Sequence, residues 1–161
     1  MKRHFLRVLT LLLLSLVILT ANSCKKDDES KSKTDLLTGK YWKYTAMNIS
    51  PSIEFNGFEY SDLFGLLPNC TKDDLVKYDA DGTVIYDEGA SKCDEGDPQT
   101  ETGTWSFNSD ETKITEVFDG DSFTYDVLEL SDTNVKFSYS EEADYGNGVQ
   151  TYTITVSAVK N

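Results

Sequence analysis

The sequence predicts an all-β domain: an eight-stranded antiparallel up-and-down β-barrel with a short helical segment in its first long loop. Three observations predict it. Apolar and polar residues alternate along short segments, as a sheet with one wet face requires. The connections between most of these segments are short and rich in Asp, Asn, Ser and Gly, which makes neighbours in sequence neighbours in space. No long helical pattern interrupts the series after residue 38. Closing such a series into a cylinder buries one face and abolishes exposed edges. A two-layer sandwich is the alternative architecture.

The first strand is Gly39–Ile49 (GKYWKYTAMNI). The next two are the legs of LVKYDADGTVIYDEG, where Asp79 opens a type I turn and Gly82 takes the left-handed position closing a three-residue loop. That register sets Val76 and Tyr78 on the same face as Val84 and Tyr86, whereas a two-residue Asp81-Gly82 loop divides these four. Gly103–Asn108 (GTWSFN) follows, then Lys113–Phe118, Ser122–Leu130, Asn134–Ser140 and Gln150–Val159. The last alternates throughout, with Tyr152, Ile154, Val156 and Ala158 on one face and Thr151, Thr153, Thr155 and Ser157 on the other.

The connection SPSIEFNGFEYSDLFGLLPNC is unusually oily, and Ile53, Phe55, Phe58, Tyr60, Leu63, Phe64, Leu66 and Leu67 need shelter. Ser61 is a candidate cap for a short helix running to about Leu67 and ending before Pro68. The simplest reading is a plug in one barrel end. The alternatives are a gate over a ligand cavity, or an exposed patch that meets a partner or a lipid surface.

The chain opens with Lys2, Arg3 and Arg7 and no acid, followed by the apolar stretch Val8–Leu19, interrupted by Thr10 and Ser15. This reads as a signal peptide, because about 20 apolar residues are needed to span a bilayer. Ala21 and Ser23 lead into Cys24, which resembles the lipobox of bacterial lipoproteins. The resemblance implies a diacylated cysteine at a new N-terminus, and acyl chains on one residue make stable membrane attachment. Lys25-Lys26-Asp27-Asp28-Glu29 then resembles the signal that carries some lipoproteins to the cell-surface face of the outer membrane; a solvated tether is the plainer reading. The expected organisation is a signal peptide over 1–23, an acidic and lysine-rich tether over 24–38, and a barrel domain over 39–161.

Removing the leader takes away three of 15 basic residues and none of the 28 acidic ones, which leaves a net charge of −16. So acidic a surface repels nucleic acid and other polyanions. His4, the single histidine, departs with the leader, and with it go histidine general bases, Ser-His or Cys-His pairs and imidazole metal ligands. Cys70 and Cys93 flank the Gly82 hairpin almost symmetrically, so the two legs carry them to the same end, where an oxidising envelope allows a disulfide. No CxxC spacing supports a redox or metal pair instead. Asp79-Ala80-Asp81-Gly82 resembles a fragment of a calcium loop without its later ligands, and a turn explains the same residues.

One family resemblance is carried by motifs in order: GKYW at 39–42, CTKDD at 70–74, YDADGT at 78–83, EGASKC at 88–93 and GTWSF at 103–107. Together they resemble the lipocalin-like lipoproteins of Gram-negative bacteria over about Leu36–Lys160, with one extra residue in the Gly-x-Trp signature of true lipocalins. The resemblance implies a fold more than a function. An aromatic-rich barrel of this size either fills with side chains or holds one small ligand. Trp42, Tyr44, Phe58, Phe64, Tyr78, Tyr86, Trp105 and Phe107 are the candidate ligand-binding residues. The expectation is a non-enzymatic, membrane-anchored binder of a small apolar or amphipathic molecule or a glycan fragment, with no cofactor and no metal. The alternative is an accessory protein with a solid barrel whose loops contact another envelope protein; a carboxylate-based hydrolase comes third.

Overall fold

The computed structural model describes residues 31–146 and 148–161, and Lys31–Asn161 form one compact unit. The leader, Cys24 and the acidic stretch after it lie outside the described residues. A short helix, α1 (Lys33–Leu37), precedes nine strands: β1 Tyr41–Phe55, β2 Phe58–Asp62, β3 Leu75–Tyr78, β4 Thr83–Asp87, β5 Thr100–Phe107, β6 Lys113–Phe118, β7 Asp121–Leu130, β8 Asn134–Ala143 and β9 Gln150–Lys160. Each pairs antiparallel with its neighbour in the sheet, and β9 returns to β1. Eight strands, β1 and β3 to β9, therefore close into the expected up-and-down barrel. The ninth, β2, lies beside the far half of β1, beyond the three residues that pair with β3.

The Gly82 hairpin has the expected register. Asp79 N–H donates to Thr83 C=O at 2.8 Å, Gly82 has φ +89°, and Val76 and Tyr78 pair with Tyr86 and Val84. The first strand is longer than expected. It runs through Pro51, where the ladder to β2 is irregular and a missing N–H is tolerated. It turns at Asn56-Gly57, both with positive φ (54° and 79°), as a type I′ hairpin needs.

The helix expected from Ser61 to Leu67 is replaced by β2 and a single 3₁₀ turn, Phe64–Leu66. Ser61 lies in the strand and caps nothing; Asp62 Oδ1 accepts from Gly65 N–H at 3.0 Å and steers the turn. A second short helix, α2 (Asn69–Lys72), carries Cys70. Nor is the segment a plug. None of its eight large apolar residues is buried, and Phe55, Phe58 and Leu66 are 65%, 66% and 57% exposed. An extended hairpin reaches past the rim, so only its base, Ile53 and Leu63, packs against the interior.

The stretch read as tether ends in folded structure. Ser32 and Asp35 form a reciprocal capping box on α1. Leu37 is fully buried, and its C=O accepts the Trp42 indole N–H at 2.8 Å. Lys31 and Lys40 meet Asp132, and Lys33 Nζ donates to Glu111 C=O at 2.5 Å. α1 thereby closes the barrel end that carries both ends of the unit and the tight β3–β4, β5–β6 and β7–β8 turns. Above it Trp42, Val76, Tyr78, Val84, Trp105, Ile114, Val135 and Phe137 fill the lower interior. Gly103, paired with buried Val84, has no room for a side chain, because a Cβ there would sit 2.5 Å from Val117 O and 2.7 Å from the Phe118 ring. The longer connections gather at the opposite end, the mouth, where Cys70 and Cys93 are joined with their Cα atoms 5.2 Å apart.

Candidate functional site

Alternation along β6 turns Ile114, Glu116 and Phe118 inward. Glu116 is 2% exposed, an acid inside a barrel wall. Its Oε1 accepts a hydrogen bond from the Tyr78 hydroxyl at 2.5 Å and its Oε2 one from the Tyr86 hydroxyl at 3.0 Å. The Tyr44 hydroxyl donates in turn to that of Tyr86 at 3.4 Å. A buried carboxylate thus rests on a relay of phenols, and none of the ion pairs among the described residues includes it.

Burial raises the Glu116 carboxyl above its ordinary range, and the two tyrosine bonds counter part of that rise. Burial also lifts Tyr44, Tyr78, Tyr86 and Tyr125, with the nearby Glu116 charge adding to each. These hydroxyls consequently stay protonated and remain donors.

Glu116 borders an open cavity of about 310 Å³ whose other walls are Tyr86, Glu101, Phe118, Phe123 and Tyr125. Phe118 meets Tyr86 edge-on, ring centroids 5.1 Å apart, while Tyr125 is held between Phe137 and Tyr139 at 6.2 and 5.7 Å. Phe123 pairs with Glu116 across the β6–β7 ladder yet is 48% exposed, which sets it on the rim. A second space at the mouth, about 690 Å³, is bounded chiefly by Ile53, Phe55, Tyr60, Leu66 and Tyr145. Here the inward-facing stripe of β1 continues beyond the rim onto the hairpin.

A third, polar cleft of about 180 Å³ gathers Asp74, Asp87, Glu88 and Glu101. Among the described residues no group of three acids is placed to hold a metal ion. Asp74 Oδ1 is sealed from solvent without a partner, and burial, reinforced by Glu88, Asp73 and Asp87, pushes the carboxyl up to about 6. A carboxyl raised in the folded state contributes its stability at low pH and loses it as pH rises through the folded value. Asp74→Asn is therefore expected to raise stability at pH 7 and to give no gain at pH 4. The full shift corresponds to about 3 kcal/mol, and solvent screening of a partly exposed group reduces this to about 1 kcal/mol. Urea midpoints of both proteins at the two pH values measure it; an equal difference at both rules the titration out.

Of the eight aromatic residues singled out in the sequence, Tyr86 alone lines the cavity beside Glu116. Tyr44 and Tyr78 reach the site through the hydroxyl relay. Trp42 lies in the packed floor, and Trp105 stacks edge-on between Tyr78 and Phe107 at 5.5 and 5.3 Å, its indole N–H donating to Asp79 C=O. Phe58 sits at the exposed hairpin tip, and Phe64 lies in the 3₁₀ turn with the Lys72 ammonium 5.9 Å from its ring. Glu116, Phe118, Phe123 and Tyr125 are additional. The signal for Glu116 and Phe118 was the pattern KITEVF, where strict alternation places a glutamate between two inward apolar residues, and Phe123 and Tyr125 alternate in the strand that follows.

No family model matches the chain, and no curated protein matches it. Among solved structures it is similar to the odorant-binding protein from bovine nasal mucosa, with 17% identity, a TM-score of 0.42, and coverage of 84% of this chain and 77% of that one. A deswapped triple mutant of bovine odorant-binding protein gives 17% identity and a TM-score of 0.41 over 78% and 74% of the two chains. The complex of bovine odorant-binding protein with a selenium-containing odorant gives 15% and 0.40 over 84% and 77%. At these values the functional reading rests on the barrel's own geometry.

Proposed function

We propose that this chain is a lipid-anchored protein of the cell envelope whose lipocalin-like barrel binds a small apolar or amphipathic molecule, or a glycan fragment, without catalysis. The observation that carries this reading is the aromatic cavity beside Glu116, open at the mouth of a barrel whose opposite end is closed by α1. The lower interior is filled, so a ligand would occupy the upper part only. Native mass spectrometry of the gently purified protein, with tryptophan fluorescence across a panel of lipophiles and short glycans, tests it. A bound mass or a saturable fluorescence change is the expected result, and a bare polypeptide mass with silent fluorescence rejects a carrier.

Attachment is proposed through Cys24 and its acyl chains, with the protein on the cell-surface face of the outer membrane. Cys24→Ala is expected to release it in soluble form, and protease treatment of intact cells to degrade it. Unchanged membrane fractionation refutes the anchor, and protection from protease refutes the surface location.

The exposed Phe55, Phe58 and Leu66 favour a second reading, contact with another envelope protein. Phe55→Ser with Phe58→Ser would then abolish a co-purifying partner and leave any barrel ligand bound.

A further inference from the structure

Resting on the reading of the mouth as a binding site, we infer that the cavity beside Glu116 selects an organic ammonium ion, a protonated amine on a small apolar body. A carboxylate offers about four acceptor positions, and the Tyr78 and Tyr86 hydroxyls occupy one on each oxygen. The acid that keeps the remaining positions is 2% exposed and borders the cavity. Two neutral phenols hydrogen-bond the carboxyl without bringing a positive charge to it. Burying a carboxylate without a cation is unfavourable, and an entering ammonium offsets that cost where an alcohol or an alkane does not.

The other walls suit the same ligand. Tyr86, Phe118, Phe123 and Tyr125 present aromatic rings, which attract cations through their π faces. Among the described residues Glu101 is the only other charged one on the wall, where no lysine or arginine competes for Glu116, and an anion meets two acids. The chain carries a net charge of −13, whose field favours approach of cations. About 310 Å³ is the low end of the range for small-molecule sites, so the apolar body is compact.

The test uses purified full-length protein and three probes of near-equal size: phenethylamine, 2-phenylethanol and phenylacetate, titrated by calorimetry at pH 7. The amine is expected to bind at least tenfold more tightly than the alcohol, and phenylacetate more weakly than either. Glu116→Gln is expected to weaken the amine at least tenfold and to move the alcohol less than twofold. Equal affinity of amine and alcohol in the unaltered protein overturns the ammonium assignment and leaves a neutral-ligand barrel standing; this comparison decides even where the variant does not fold. An amine preference that survives Glu116→Gln overturns the role of that carboxylate. Absence of binding by all three probes, together with a silent lipophile panel, removes the binding reading itself.

Discussion

Truncation of Trp42 to alanine is expected to destabilise the protein by about 3–5 kcal/mol, the range for losing a large aromatic from a packed interior. The indole is fully buried among the residues that fill the lower barrel, so its removal leaves a void that fixed strands can only partly close. It also holds the base. Its N–H donates to the Leu37 C=O, and Leu37 is itself fully buried, so the variant orphans a carbonyl and loosens α1 from the end it closes. Trp42→Phe separates the two contributions: it restores most of the volume and forfeits the hydrogen bond, with an expected loss of about 1–2 kcal/mol. Urea unfolding followed by Trp105 fluorescence reads both. Since domains are stable by about 5–15 kcal/mol, the alanine variant should sit close to its unfolding threshold at room temperature. A loss below about 1.5 kcal/mol would show that the floor is not held by this side chain.

Replacing Cys70 and Cys93 by alanine together is expected to cost about 3.4 kcal/mol, the loop-closure value for a sequence separation of 23 in the chain-entropy account. The bridge ties α2, just ahead of β3, to the long connection between β4 and β5. It therefore restricts the unfolded chain around the Gly82 hairpin while leaving the lower core untouched. Reduction of the unaltered protein should lower its urea midpoint by the same amount as the double substitution. A double variant that unfolds with the unaltered midpoint would show that the covalent link adds nothing.

Legibility from sequence divided along physical lines. Strict alternation in β9 and the Asp79-to-Gly82 turn named both the strands and their register, because period and turn chemistry are local properties. The first strand was ended at Ile49, but β1 runs on through Pro51, which the irregular ladder tolerates. Asn56-Gly57, the strongest hairpin signal in that stretch, was then passed over as part of a connection. Ser32 and Asp35, a capping box four residues apart inclusive, marked a helix within the stretch assigned to the tether. The site was less legible. Aromatic content pointed to Tyr86 and the relay beneath it, but also to Trp42 and Trp105, whose indoles fasten the floor. Glu116 was missed because an acid in a strand is ordinarily assigned to the wet face; only the phase set by Ile114 and Phe118 turns it inward.

The cylinder is not fastened equally all the way round. β1 is laced to β9 from Trp42 to Ser50, but to β3 only over Tyr41–Lys43, before β2 takes over that edge. Local opening follows the line with fewest backbone ties, at a free energy below that of global unfolding. That line runs between β1 and β3, and the cystine anchors the chain just ahead of β3. The wall thus has a built-in seam whose few ladder ties lie at the closed base, with the cystine as a rivet beside its upper end.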